Sequence, residues 1–239
     1  MRPDGRSPDE LRPVSFTRRY TDSAAGSVLT RWGNTVVLCT VCVEPGVPGW
    51  LVNKGKGWVT GEYAMLPGST GTRKARDGSR GRPDSRNVEI SRLIGRSLRS
   101  VVDLRALGER TLWADCDVLQ ADGGTRTAAI SGAYVALVDA LKGLEKEKEL
   151  RRWPMSSSLC AVSVGVIDGE PRLDLPYEED RRAQVDMNVV LTGDGRFIEI
   201  QGTGEQRPFT AKEHEALVFL AVKGGAEVTK IQNEALADD

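Results

Sequence analysis

Apolar positions change period along the chain, and the period predicts the elements. Residues 13–43 carry three short apolar and β-branched runs, PVSFTRRY, SVLTRW and TVVLCTVCV. Asp22 and Gly26 lie in the first gap and Gly33-Asn34 in the second, which is hairpin punctuation. GWVTGEYAML (57–66) reads as a fourth strand. Residues 67–85 have no period, several glycines and many charges, so a long exposed loop is expected there. Over 86–104, Ile90, Leu93, Ile94, Leu98, Val101 and Val102 recur at helical spacing. TLWADCDVLQ (111–120) is a strand, and TRTAAISGAYVALVDALKGL (125–144) is a helix opened by the turn Asp122-Gly123-Gly124.

The pattern then recurs. A charged connector, EKEKELRRWP (145–154), precedes SLCAVSVGVID, PRLDL, QVDMNVVLT and RFIEIQ, all strand-like, and a terminal helix from about Thr210 to Gly224. Two strand blocks, each followed by helix, predict a duplicated α+β architecture. Its halves fall at about 1–144 and 155–239, within one domain spanning 1–239. The halves share no clear sequence repeat.

Composition narrows the function. With 39% hydrophobic and 28% charged residues, the chain can bury a core. No transmembrane helix is expected, since no run reaches about 18 apolar residues. The segment MRPDGRSPDELRPVSF lacks the apolar stretch of a secretory signal, so a cytoplasmic protein is expected. Lys plus Arg number 33 and Asp plus Glu 34, so any contact with a polyanion must come from local patches. Cys39 and Cys42 stand three apart in a strand and face opposite sides, against a shared metal. Buried apolar thiols are expected of the four cysteines. His214 is the single histidine and sits on an amphipathic helix, so a Ser-His-Asp or Cys-His site is not expected. That leaves carboxylates, arginines and a metal to carry any catalysis.

Four constellations could do so. Asp122-Gly123-Gly124-Thr125-Arg126-Thr127 stands at a strand-to-helix junction. There the glycines allow close backbone approach, and the helix start offers free N–H groups and positive charge to an anion. The same residues also read as a Gly turn with a Thr cap. Arg92, Arg96 and Arg99 share a helix face that suits solvent or a subunit contact, while Arg86 opens the same helix and can aim at a site. Asp180 and Asp186 could hold a hard cation, or pair with Arg181 or Arg182. Finally, Lys54 to Arg86 carries a local surplus of +5: Lys54, Lys56, Arg73, Lys74, Arg76, Arg80, Arg82 and Arg86 against Glu62, Asp77 and Asp84. A basic loop beside a phosphate site suggests a polyanionic substrate, and a solvated loop is the alternative.

Several strings match a known family. MRPDGR, RLIGRSLR (92–99), DCDVLQADGGTRTAAISGAYVAL (115–137) and YEED…VDMNVV (177–190) closely resemble the bacterial ribonuclease PH family, and the likeness runs nearly the whole chain. The resemblance implies a duplicated α+β domain of the ribosomal protein S5 domain 2-like kind. It implies a phosphate-dependent 3′ exoribonuclease that trims transfer RNA precursors, releases nucleoside diphosphates and assembles as a homohexamer, a trimer of dimers. By the same resemblance, Arg86, Gly124, Thr125 and Arg126 hold the co-substrate phosphate. Asp180 and Asp186 are catalytic and hold Mg²⁺ or Mn²⁺. RNA contact is expected at Arg73, Arg76, Arg92 and Arg96. Where the family usually carries Arg, His and Ala, this chain has Gly68, Gly71 and Gly61, and its basic-acidic spacing is loosened to Arg76-Asp77-Gly78. All four departures are expected in or near the RNA loop. A catalytically silent RNA-binding ring subunit and a hydrolytic metal-dependent exoribonuclease are the two alternatives.

Overall fold

The computed structural model describes residues 2, 4–76, 81 and 84–237. The predicted hairpins form. β1 (Val14–Arg18), β2 (Gly26–Trp32) and β3 (Thr35–Pro45) pair antiparallel in succession, with Gly33 supplying the left-handed φ of +56° that the tight turn needs. β5 (Arg110–Gln120) adds antiparallel to β3, and β4 (Trp58–Met65) lies parallel to β5 at the edge. The first sheet therefore has the order β1-β2-β3-β5-β4. α1 (Ser85–Ser100), capped by the Asp84 carboxylate, packs on β4. A short α2 (Leu104–Leu107) follows, and then α3 (Thr125–Lys146).

The second sheet is antiparallel in the order β7-β6-β8-β9, built from β6 (Leu159–Ile167), β7 (Glu170–Leu173), β8 (Val185–Thr192) and β9 (Phe197–Thr203). A single turn, α4 (Tyr177–Asp180), joins β7 to β8, and α5 (Ala211–Ala237) closes the block. The expected α+β order, strand block then helix, twice, is present.

Both long helices serve both sheets. α3 packs on β2, β3 and β5 and also on β6, while α5 packs on β6 and β7 and also on β1. α3 has the length and hydropathy to cross a membrane, but 83% of that stretch is buried inside the protein. Small residues let it approach the first sheet. A Cβ on Gly132 would lie 2.0 Å from Thr30 Oγ1 and 2.7 Å from Cys39 Sγ. One hydrophobic cluster consequently runs from Leu11 to Val228 through both halves.

Four details differ from the sequence reading. The helix expected over 86–104 stops at Ser100: Val102 bridges to Met155, and the Asp103 N–H donates to the Pro154 carbonyl, so the connector takes the backbone groups a longer helix would use. The terminal helix runs past Gly224 to Ala237. Gly224 and Gly225 are contact points rather than a stop, since a Cβ would meet Leu173 Cδ1 at 2.7 Å and Leu191 Cδ1 at 2.6 Å respectively. Cys42 is exposed, whereas Cys39, Cys116 and Cys160 are buried. His214, expected on an exposed helix face, is half-buried against Phe209, the ring centroids 6.5 Å apart.

A polar strap ties the two blocks together. Arg12 is buried between them. Its backbone N–H, Nε and Nη2 reach the Asp174 carboxylate at 2.7, 3.0 and 2.7 Å, and its guanidinium also donates to the carbonyls of Asp122 and Gly123. Beside it, buried Arg2 binds the Glu179 carboxylate at 2.8 Å, and Arg172 holds the same group at 2.7 Å. Burial pushes the Asp174 carboxyl up, but the charge and hydrogen bonds of Arg12 outweigh it and leave the group below the ordinary carboxylate range. A depressed carboxylate contributes stability above its unfolded pKa and loses it as pH falls through the folded value. Asp174→Asn should therefore cost about 3–5 kcal/mol at pH 7, because it leaves buried Arg12 with only the Asp122 carboxylate, 3.9 Å away, as counter-charge. Chemical denaturation should show that gap narrowing as pH falls below about 4, where Asp174 of the unfolded chain protonates first and the folded carboxylate follows at lower pH.

Candidate active site

Three segments converge where the blocks meet. The first is the turn between β5 and α3. Gly123 and Gly124 take φ of +73° and +65°, so the chain enters α3 through two left-handed residues. No side chain caps α3, so the first N–H groups of the helix, entered from Gly124, have no capping side chain as partner. The Tyr63 hydroxyl, on β4, donates to Thr125 Oγ1 at 2.8 Å. The Arg126 guanidinium projects from the first turn and uses Nη1 alone to reach Gln201 Oε1 at 2.9 Å and Glu89 Oε1 at 3.3 Å.

The second segment is the start of α1. The Arg86 N–H donates to the capping Asp84 at 2.9 Å, and its side chain is exposed. The Arg86 charge acts on Tyr63, Asp180 and Asp186 together, so it lies within electrostatic reach of all three.

The third segment carries that acidity. Asp180 ends α4 and Asp186 stands on β8, beside Asn188 on the same strand face, whose Nδ2 lies 3.4 Å from Asp186 Oδ2. Val185, Met187 and Val189 fill the opposite face with no exposure, as the alternation predicts. Burial raises the Asp180 carboxyl, against the opposing pull of Arg86 and Arg126. Burial first, and the Asp180 charge second, push Asp186 up to about 6. Two half-buried carboxylates thus repel one another in front of two arginines. Arg181 pairs with Glu178 at 2.8 Å rather than with either aspartate.

Arg86, Gly124, Thr125, Arg126, Asp180 and Asp186 are therefore brought together. The residues expected to touch RNA are not. Arg73 and Arg76 are exposed on the loop, and Arg76 lies near Asp117 on the first sheet. Arg92 is exposed on α1. Arg96 makes a two-pronged pair with Glu199 at 2.6 and 2.7 Å, and Arg99 lies 4.2 Å above the Trp58 ring and donates to the Val59 carbonyl. Arg80, Arg82, Asp77 and Gly78 of the basic loop lie outside the described residues. Gly61 does not belong to the loop: it is buried in β4, where a Cβ would meet Ile94 Cγ2 at 2.7 Å. Gly68 and Gly71 face open space.

Sequence reasoning missed the supporting residues. Glu89, Gln201 and Glu199 form a polar chain from Arg126 to Arg96, with Gln201 Nε2 2.9 Å from Glu199 Oε1. Arg12, Asp174 and Tyr63 support the turn from below. No spacing rule joins positions so far apart. The one available signal was Arg12 itself, an arginine beside Leu11 at the head of the first apolar run.

Residues 10–142 match the model for domain 1 of the 3′ exoribonuclease family, and residues 157–224 match that for domain 2. A ribonuclease PH from Saccharopolyspora erythraea is 58% identical over 237 residues, covering 99% of this chain and 94% of that protein. Rice (Oryza sativa) Rrp46 superimposes with a TM-score of 0.81 at 23% identity, over 99% of this chain and 100% of that one. A chain of the Archaeoglobus fulgidus exosome, solved with RNA bound to the active site, gives a TM-score of 0.78 at 21% identity, over 96% of this chain and 91% of that one. At those identities the two structures share the fold. The two domain matches and the near-full-length relative make this chain a member of the ribonuclease PH family of 3′ exoribonucleases.

Proposed function

We propose that the chain is a phosphate-dependent 3′-5′ exoribonuclease that releases nucleoside diphosphates. One observation carries the reading: a glycine-built helix start and two arginines face two carboxylates raised by burial. Inorganic phosphate is the nucleophile, so no Ser, Cys or His is needed. Arg86, Gly124, Thr125 and Arg126 hold it, the contacts of Arg126 with Glu89 and Gln201 using only Nη1. Catalysis is then positioning of one anion against another and neutralisation of growing charge.

Among the described residues no group of three or more His, Cys, Asp or Glu side chains is placed to hold a metal. Two carboxylates suffice for Mg²⁺, which keeps several waters and leans on substrate phosphates. Asp180 and Asp186 supply the oxygen donors, and their mutual repulsion is what a divalent cation relieves. Bound there, the cation would stabilise charge on the scissile phosphoryl group; Mn²⁺ offers the same chemistry. The whole chain works as one ribonuclease PH unit in the cytoplasm. Its substrates are transfer RNA precursors and other structured RNA with 3′ single-stranded ends, and it assembles as a homohexamer, a trimer of dimers. Arg73, Arg76, Arg92 and Arg96 contact RNA away from the reacting centre.

Phosphate dependence gives the first test. Short RNA incubated with Mg²⁺ should be shortened to nucleoside diphosphates with phosphate present and left intact without it. Monophosphate products in phosphate-free buffer would instead establish a hydrolase. Arg126→Ala should raise the phosphate KM by about 10–100-fold, since a charge-assisted hydrogen bond is worth about 1.5–3 kcal/mol.

The raised Asp186 carboxyl gives a second test. A group whose folded pKa is raised costs stability as pH climbs from its ordinary value near 4 to its folded value of about 6. In metal-free buffer, Asp186→Asn should raise Tm at pH 8 and leave it unchanged at pH 4. Mg²⁺ should raise Tm of the wild type at pH 8 and not of the variant, and the variant should lose turnover.

The loop gives a third. Each phosphate contact contributes a salt slope of about −0.7 on single strands. Arg73→Ala with Arg76→Ala should flatten the salt dependence of precursor binding and leave turnover at saturating RNA unchanged. Gly68 has open space for a side chain, so Gly68→Arg should tighten binding.

A further inference from the structure

The phosphate turn and the metal-side aspartates belong to different blocks, so something must fix their separation. The backbones meet directly at Gly123, where a Cβ would lie 2.4 Å from the Leu175 carbonyl oxygen and 2.8 Å from both the Pro176 carbonyl carbon and the Tyr177 nitrogen. One residue earlier, Asp122 turns its carboxylate across the same seam. Oδ1 accepts the backbone N–H of Tyr177 at 3.2 Å, and Tyr177 is the first residue of the single turn that ends at Asp180. Oδ2 accepts from Asn34 Nδ2 at 3.2 Å and lies 3.9 Å from Arg12 Nη1. The Asp122 backbone is held as firmly: its N–H donates to Thr35 Oγ1 at 2.9 Å and its carbonyl accepts from Arg12. Asp122 thus grips the first block through its main chain and Oδ2, and the second through Oδ1.

We infer that Asp122 is a positioning residue: its carboxylate, hydrogen-bonded to the Tyr177 N–H, fixes the distance between the phosphate-holding turn and Asp180. The inference rests on the proposed phosphorolytic reading. In that reading Asp122 is not among the phosphate-holding or metal-holding residues; its carboxylate is taken up by Tyr177, Asn34 and Arg12. Its side chain is about a quarter exposed, so its removal does not empty the core. Loosening this joint leaves each half-site able to bind its own ligand while spoiling their alignment, and misplacement of about 1 Å costs up to about 100-fold in rate.

The test is steady-state kinetics on a short RNA with phosphate and Mg²⁺ varied separately. Asp122→Ala should lower kcat by about 10–100-fold, with the KM for phosphate and the half-saturating Mg²⁺ both within about twofold of wild type. Asp122→Asn keeps an oxygen for the Tyr177 N–H and should recover most of the lost kcat. Circular dichroism and Tm of the variants check folding. An unchanged kcat in Asp122→Ala would overturn the inference. So would a kcat loss matched by equal losses in phosphate and Mg²⁺ affinity, or an Asn variant no better than Ala. If Asp122→Ala does not fold, Asp122→Asn against Asp122→Ser, which is too short to reach Tyr177, replaces the comparison with the same expected split. Phosphate-independent activity in the wild type would refute the phosphorolytic reading itself, before any variant is compared.

Discussion

The buried contact between Arg12 and Asp174 sets the terms for everything near the site. An arginine with 5% side-chain exposure and an aspartate with 2% face each other, and neither could stay charged there alone. Arg12 also takes the carbonyls of Asp122 and Gly123. One guanidinium therefore satisfies a carboxylate from the second block and two carbonyls from the first. The turn carrying Gly124 to Arg126 and the segment leading into α4 are stitched at a point neither block supplies by itself. Arg2 and Arg172 repeat the device one step further on, around Glu179, the neighbour of Asp180.

On this base the site arranges charge by contrast. Its cationic side is partly satisfied at rest: Arg126 leans on Gln201 and Glu89, and the chain of contacts continues through Glu199 to Arg96. Its anionic side is left unfavourable, with two carboxylates raised above their usual range by burial. The destabilisation is concentrated on the acidic side, where positive charge would relieve it. The surrounding strap is correspondingly over-determined.

Much of this was legible in the sequence. Alternation over 185–189 put Asp186 and Asn188 on one face and the core on the other, because a strand has a fixed period. The Gly123-Gly124 pair before an apolar helix announced a sharp turn, which both residues make with left-handed φ. What escaped were relations between distant residues. Arg12 to Asp174 spans 162 positions, and Arg126 to Gln201 spans 75. Local patterns hold no information on such pairs. Glycines misled where they serve packing rather than turning: Gly224 and Gly225 resemble a helix stop but admit Leu173 and Leu191, and Gly61 resembles a loop variant but admits Ile94.

The length of α5 bears on how the molecule comes together. Its far end accepts hydrogen bonds from the first block: Arg18 donates to the Ala235 carbonyl, 217 positions away, and Lys142 donates to the Leu236 carbonyl. β1 sits under the same helix. The first sheet thus gains its outermost cover from the segment most remote from it in sequence. Closure of so long a loop comes late, because its entropy must be overcome before the contacts repay it. Until α5 docks, the surfaces of β1, β6 and β7 that it covers stay open to water and to other chains. The interval before that docking is when the folding chain is most exposed to misassociation.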